Sequence, residues 1–111
     1  MTQTTGLPDV TDADFEARVL ESELPVLVQF TAVWCGPCRM LKPVLADIAR
    51  EQAERLKVVQ IDVDANQQTT QRYTVLSTPT LMVFRDGEPV LSTVGAKPKA
   101  RLLRELAPVL D

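Results

Sequence analysis

Histidine is absent from the 111-residue chain, and cysteine occurs only twice. Without an imidazole there is no Ser-His-Asp or Cys-His catalysis and no histidine-ligated metal. Two cysteines are too few for a disulfide-built fold. Long apolar runs are missing too: the longest are a handful of residues, far below the roughly 20 needed to span a bilayer. Nor is there an excess of positive charge. Lys and Arg number 12 against 15 Asp and Glu, a net charge of -3. Nothing therefore draws the chain as a whole to nucleic acid or to an anionic membrane. Met1 to Gly6 has neither the basic start nor the apolar centre of a secretory signal. The expectation is a cytoplasmic protein, where a cysteine pair serves catalysis or metal binding more often than structure.

What is present is the balance of an ordinary globular protein, 45% apolar and 24% charged. The length suits one domain, expected over residues 7–111 behind a flexible end at 1–6. Leu7 to Val10 reads as a short first strand. Thr11 with Asp14 forms a capping-box pattern, opening a helix from about Asp12 to Glu21 that buries Phe15 and Val19. Pro25 to Phe30 is apolar without alternation, as in a strand buried on both faces. A second helix carries Leu41, Val44, Leu45, Ile48 and Ala49 on one stripe, which extends back to Cys38. Pro43 lies inside it and removes the bond to the Arg39 carbonyl. Val58 to Val63 is a further strand, followed by a short helix over Gln67 to Tyr73 with Asn66 as cap. Thr80 to Phe84 and Val90 to Val94 flank Asp86-Gly87, a hairpin signal. A last helix starts near Pro98 and buries Leu102, Leu103 and Leu106, with Pro108 disturbing its end. Strands separated by helices pair in parallel through right-handed crossovers, and the hairpin adds an antiparallel pair. The predicted fold is α/β, a mixed sheet with helices on both faces.

Trp34-Cys35-Gly36-Pro37-Cys38 stands where a buried strand gives way to a helix. Residues three apart on a helix lie across one turn, close enough for a disulfide. Cys35 falls at the helix start, where unpaired amides and the dipole favour a thiolate, the reactive form. Cys38 falls one turn in, on the core-facing stripe. Cys35 is thus expected to be exposed and to attack, and Cys38 to resolve. Three plainer readings compete. Half a zinc site lacks further ligands within the chain. Inert buried cysteines do not suit an exposed helix start. A structural disulfide would close too short a loop to stabilise much.

The pentapeptide, its position and the element order resemble the thioredoxin family over about Leu7 to Leu110. The resemblance implies a thioredoxin fold of about five strands and about four helices. It also implies a protein-disulfide reductase without bound cofactor or metal, recharged by NADPH through thioredoxin reductase. Its substrates would be disulfide-containing proteins, and the chain a monomer. Pro43 resembles the family's kinking proline, and Pro79 its cis-proline facing the cysteines. Gly95, beside Ala96, resembles the glycine of the substrate surface. Trp34, Gly36, Pro37, Thr78 and Ala96 would frame that surface with Pro79 and Gly95. Three positions depart from the pattern. Gln29 stands where the family has a buried Asp beneath the cysteines, Gln60 where it has a neighbouring Lys, and Thr31 where it commonly has a second Trp. Losing both charges together avoids the roughly 3–5 kcal/mol of an uncompensated buried partner. Two amides are expected to bond each other or a water instead. Losing the carboxylate lowers the Cys35 pKa and losing the ammonium raises it. Thr31 reads as a compensated packing change. Two rival functions share the fold: a disulfide oxidase or isomerase, and a binding module using the same surface.

Overall fold

The computed structural model describes residues 7–110. The flexible end expected at 1–6 lies outside them. One four-stranded sheet runs β2-β1-β3-β4, with β1 Val26–Thr31, β2 Lys57–Asp62, β3 Thr80–Arg85 and β4 Glu88–Val94. β1 and β2 are parallel, and β3 runs antiparallel to both β1 and β4. Three helices accompany it: α1 Gly36–Glu51, α2 Gln67–Arg72 and α3 Lys99–Leu110. A π-helical segment, Glu16–Leu20, precedes β1. The mixed α/β sheet matches the expected class with one strand fewer.

That missing strand is the one expected at Leu7 to Val10. Only a parallel bridge forms, between Asp9 and Gln60. Val10 donates to the Gln60 carbonyl at 2.8 Å and Gln60 to the Pro8 carbonyl at 2.9 Å. Pro8 has no N–H to extend the pairing, and Thr11 already enters the next turn. The Thr11–Asp14 capping box is present: Asp14 Oδ1 accepts from Thr11 N at 2.7 Å, and Thr11 Oγ1 from Asp14 N at 3.3 Å. The helix beyond it is a single wide turn, closed by Glu21 N donating to the Glu16 carbonyl at 2.9 Å.

Every residue of β1 is buried, because both faces are covered. On one face Leu27, Leu81 and Val83 pack with Leu41, Leu45 and Ile48 of α1 and Leu102, Leu106 and Val109 of α3. On the other, Val26, Val28 and Phe30 pack with Phe15 and Val19. There the Phe15, Tyr73 and Phe84 rings stand 5.0–5.8 Å apart, within aromatic contact. The period of two places Gln29 with Leu27, on the α1 side. Leu103 is only half-buried; Val109 takes its place on the inner face of α3. α3 continues past Pro108 to Leu110, and Arg85 donates to the Val109 carbonyl at 2.8 Å. The hairpin turn places both Asp86 (φ 54°) and Gly87 (φ 81°) in the left-handed region, the geometry that matches strand twist.

The expected Asn66 cap is not made by Asn66. Asp12 reaches across from the first turn instead. Its carboxylate accepts from Thr69 N at 2.9 Å, Thr69 Oγ1 at 2.7 Å and Gln68 N at 3.3 Å. Asn66 returns the bond, its Oδ1 accepting from Asp12 N at 2.8 Å.

Candidate active site

β1 ends at Thr31, and four residues later Cys35 becomes the N-cap of α1, in extended conformation. Cys35 N donates to the Ala32 carbonyl at 3.1 Å, closing that turn. Pro37 follows within the first turn of the helix, where its missing N–H costs nothing. The Cys38 N–H then points back at Cys35 and donates to its Sγ at 3.1 Å. A first-turn amide is thus aimed at the sulfur where negative charge would develop.

Cys35 and Cys38 form a disulfide with S–S 2.15 Å, χ3 80° and Cα–Cα 5.3 Å. Cys38 is 0% exposed and Cys35 only 3%. The exposure expected for Cys35 is therefore not found in this oxidised state. Its sulfur is bonded inward to Cys38, and the pair packs with Ala32 against Val63.

Beneath the pair lies Gln29, 0% exposed. Its Nε2 donates to the Cys38 carbonyl at 3.3 Å. Gln60 is the register partner of Gln29 on β2, yet the two amides do not bond each other as expected. Gln60 Nε2 turns outward to Asp9 Oδ1 at 2.9 Å. The bridging segment beside β2 supplies that carboxylate. The Oε1 atoms of Gln29 and Gln60 are both buried without a partner. Thr31 is buried at the end of β1, and its carbonyl accepts from Val63 N at 2.9 Å.

The Thr78–Pro79 peptide is cis. Gly95 N donates to the Pro79 carbonyl at 2.9 Å, joining the two loops. Gly95 has φ 98° with no atom within 4 Å of an added Cβ, so backbone conformation rather than space favours glycine there. Trp34 is 68% exposed and shares a shallow hollow with Val63, Val75, Leu76 and Thr78. Gly36 is half-buried, and Pro37 and Ala96 are exposed. Two features escaped sequence reasoning. Asp64 holds the Trp34 indole, Nε1 to Oδ2 at 2.8 Å, a contact across 30 residues that no local pattern announces. Leu76, at 88% the most exposed large apolar side chain among the described residues, did carry a signal: an apolar side chain just before Ser77-Thr78-Pro79. Among the described residues no helix is long and apolar enough to cross a membrane, and no three Cys, Asp or Glu gather as a metal site.

A buried disulfide at a helix N-terminus, with a first-turn amide donating to one of its sulfurs, defines a dithiol–disulfide oxidoreductase. The thioredoxin family model matches residues 7–108. A thioredoxin of Mycobacterium tuberculosis (strain ATCC 25618 / H37Rv) is 55% identical over 101 residues, covering 91% of this chain and 87% of that protein. Thioredoxin 1 of Synechococcus elongatus is 50% identical over 97 residues, covering 87% and 91%. A bifunctional thioredoxin reductase/thioredoxin of Mycobacterium leprae is 52% identical over 102 residues, which are 92% of this chain and 22% of that protein. The chain belongs to the thioredoxin family. It is a thiol–disulfide oxidoreductase of the protein-disulfide reductase type.

Proposed function

We propose that residues 7–111 act as one monomeric, cytoplasmic domain that reduces disulfide-containing proteins, with Cys35 as nucleophile and Cys38 as resolving thiol. One observation carries the assignment of roles. The Cys38 amide, in the first turn of α1, is aimed at the Cys35 sulfur at 3.1 Å. The reduced Cys35 thiolate attacks one sulfur of the substrate disulfide. A mixed disulfide forms, and the other substrate sulfur leaves as a thiolate that takes a proton. Cys38 gives up its proton and attacks the Cys35 sulfur. The second substrate sulfur leaves, and the Cys35–Cys38 disulfide closes. The substrate gains two electrons and two protons; the pair loses them.

Trp34, Gly36, Pro37, Thr78, Pro79, Gly95 and Ala96 form the surface that receives an extended substrate segment, with the Thr78 backbone as its pairing edge. Electrons return from NADPH through thioredoxin reductase. Family membership supports this, as does the Mycobacterium leprae relative named as both reductase and thioredoxin. The direct test is turnover of a disulfide-bonded protein with dithiothreitol, then with thioredoxin reductase and NADPH. Wild type is expected to be active with both donors and Cys35→Ser inactive. Equal rates for the two proteins would refute the assignment.

A further inference from the structure

We propose that Gln29 is a positioning residue for Cys38, its Oε1 accepting the Cys38 S–H in the reduced protein and so holding the proton on that sulfur. The inference rests on Cys38 being the resolving thiol. Its starting point is a forced orientation. A carbonyl only accepts hydrogen bonds, so the Gln29 amide must turn its NH2 group to the Cys38 carbonyl, at 3.3 Å. The other end of the amide, Oε1, is left buried without a donor. Such a group is costly in a side chain 0% exposed.

Reduction supplies the missing donor. A dithiol gives two electrons and two protons to the disulfide and becomes a disulfide itself. The Sγ–Sγ bond breaks, and one proton resides on Cys38, buried above Gln29. Oxidation removes that S–H and orphans Oε1 again. The amide thus favours the reduced state and the neutral Cys38 thiol over the thiolate.

Among the described residues, the hydrogen bonds of Cys38 run to Gln29 and Cys35, neither a charged side chain in this state. Cys38 lies in an apolar cluster with Ala32 and Cys35, against which Val63 packs. On α1, Arg39 turns its guanidinium to the Val33 carbonyl at 2.7 Å, and Lys42 is half-buried on the next turn. β1 carries no ionisable side chain. On β2, Asp62 is engaged by the amides of Asp64 and Ala65, and Lys57 lies at the far end. On β3, Arg85 lies at the far end, against α3. Asp64 accepts from Trp34, and the Asp9 carboxylate accepts from Gln60.

The test reads the Cys38 S–H stretch by infrared spectroscopy in the reduced chain with Cys35 alkylated. The expected band lies below that of the same thiol in unfolded protein, and Gln29→Leu moves it back up. In equilibrium with glutathione, Gln29→Leu is expected to favour the internal disulfide about fivefold more than wild type, a potential about 20 mV lower. Gln29→Glu places an ionisable group beside Cys38 and is expected to add a second step to the thiol titration. A Cys38 band at the unfolded position would overturn the proposal even if Gln29→Leu did not fold. An unchanged glutathione equilibrium in folded Gln29→Leu would do the same. Failure of the resolving role would appear separately, as undiminished steady-state turnover by Cys38→Ser.

Discussion

The N-terminus of α1 is capped from within, by the sulfur of a residue three positions from the amide it accepts. That of α2 is capped from outside, by Asp12, whose carboxylate reaches Thr69 across 57 residues. The first cap is the atom we assign to attack, so its bonding must change with every redox cycle. The second is answered by Asn66, which bonds back to Asp12 N, and neither partner has chemistry to perform. Amides at a helix start stabilise negative charge in both places. Only at α1 is that charge placed on a nucleophile. The comparison separates a terminus used for reactivity from one used to tie two elements together.

Removing the reactive cap should have the largest effect. Cys35→Ser is expected to reduce turnover to background. Serine is itself a good N-cap, so the melting temperature of the reduced protein should change by no more than a few degrees. Calorimetry beside the turnover assay checks both. Cys38→Ser should retain the first attack and lose the second. Mass spectrometry should find one substrate equivalent bound as a mixed disulfide, with steady-state turnover close to background.

The structural cap should show the opposite pattern. Asp12→Asn is expected to lower the melting temperature by several degrees and leave turnover within about twofold. Desolvation opposes the Asp12 carboxylate, but the Thr69 hydroxyl and the Thr69 and Gln68 amides outweigh it, holding its pKa below the ordinary 3.8. A depressed folded pKa means stability present above 3.8 and lost as pH falls through the lower folded value. The gap between wild type and Asp12→Asn should therefore be steady near neutral pH and close in acid. Asp14→Ala is expected to have the smallest effect. The Thr11 amide is the main cause of its lowered pKa. Its pair with Arg18, 3.4 Å apart with both side chains 40% exposed, adds little. Thermal melts should place Asp14→Ala between wild type and Asp12→Asn.

The same division governs what was legible in the sequence. α1 and its cap were readable because each signal is local: an apolar run into Cys35-Gly36-Pro37-Cys38, then a stripe at helical spacing. The Asp86-Gly87 turn was readable for the same reason. The Asp12 clasp was not, because Asn66 satisfies the local cap pattern while a distant carboxylate makes the bonds. The apolar ends of Leu7 to Val10 suggest a full strand, but Pro8 has no N–H to give it and only a bridge forms. At the site, the substitutions at Gln29 and Gln60 were visible, but not that the amides part company. Asp9 draws Gln60 outward, and Cys38 holds Gln29. Both contacts depend on the finished packing.

The central claim is that Cys35 is activated by a helix terminus, with the amide of Gln29 and, among the described residues, no ionisable partner beneath the pair. Thiolate absorbance of the reduced protein against pH tests it most directly. The account predicts one step of a single thiolate's amplitude, below the roughly 8.5 of a free cysteine, with Cys38 ionising only well above it. Two overlapping steps near neutrality, or a single step at the free-cysteine value, would contradict it.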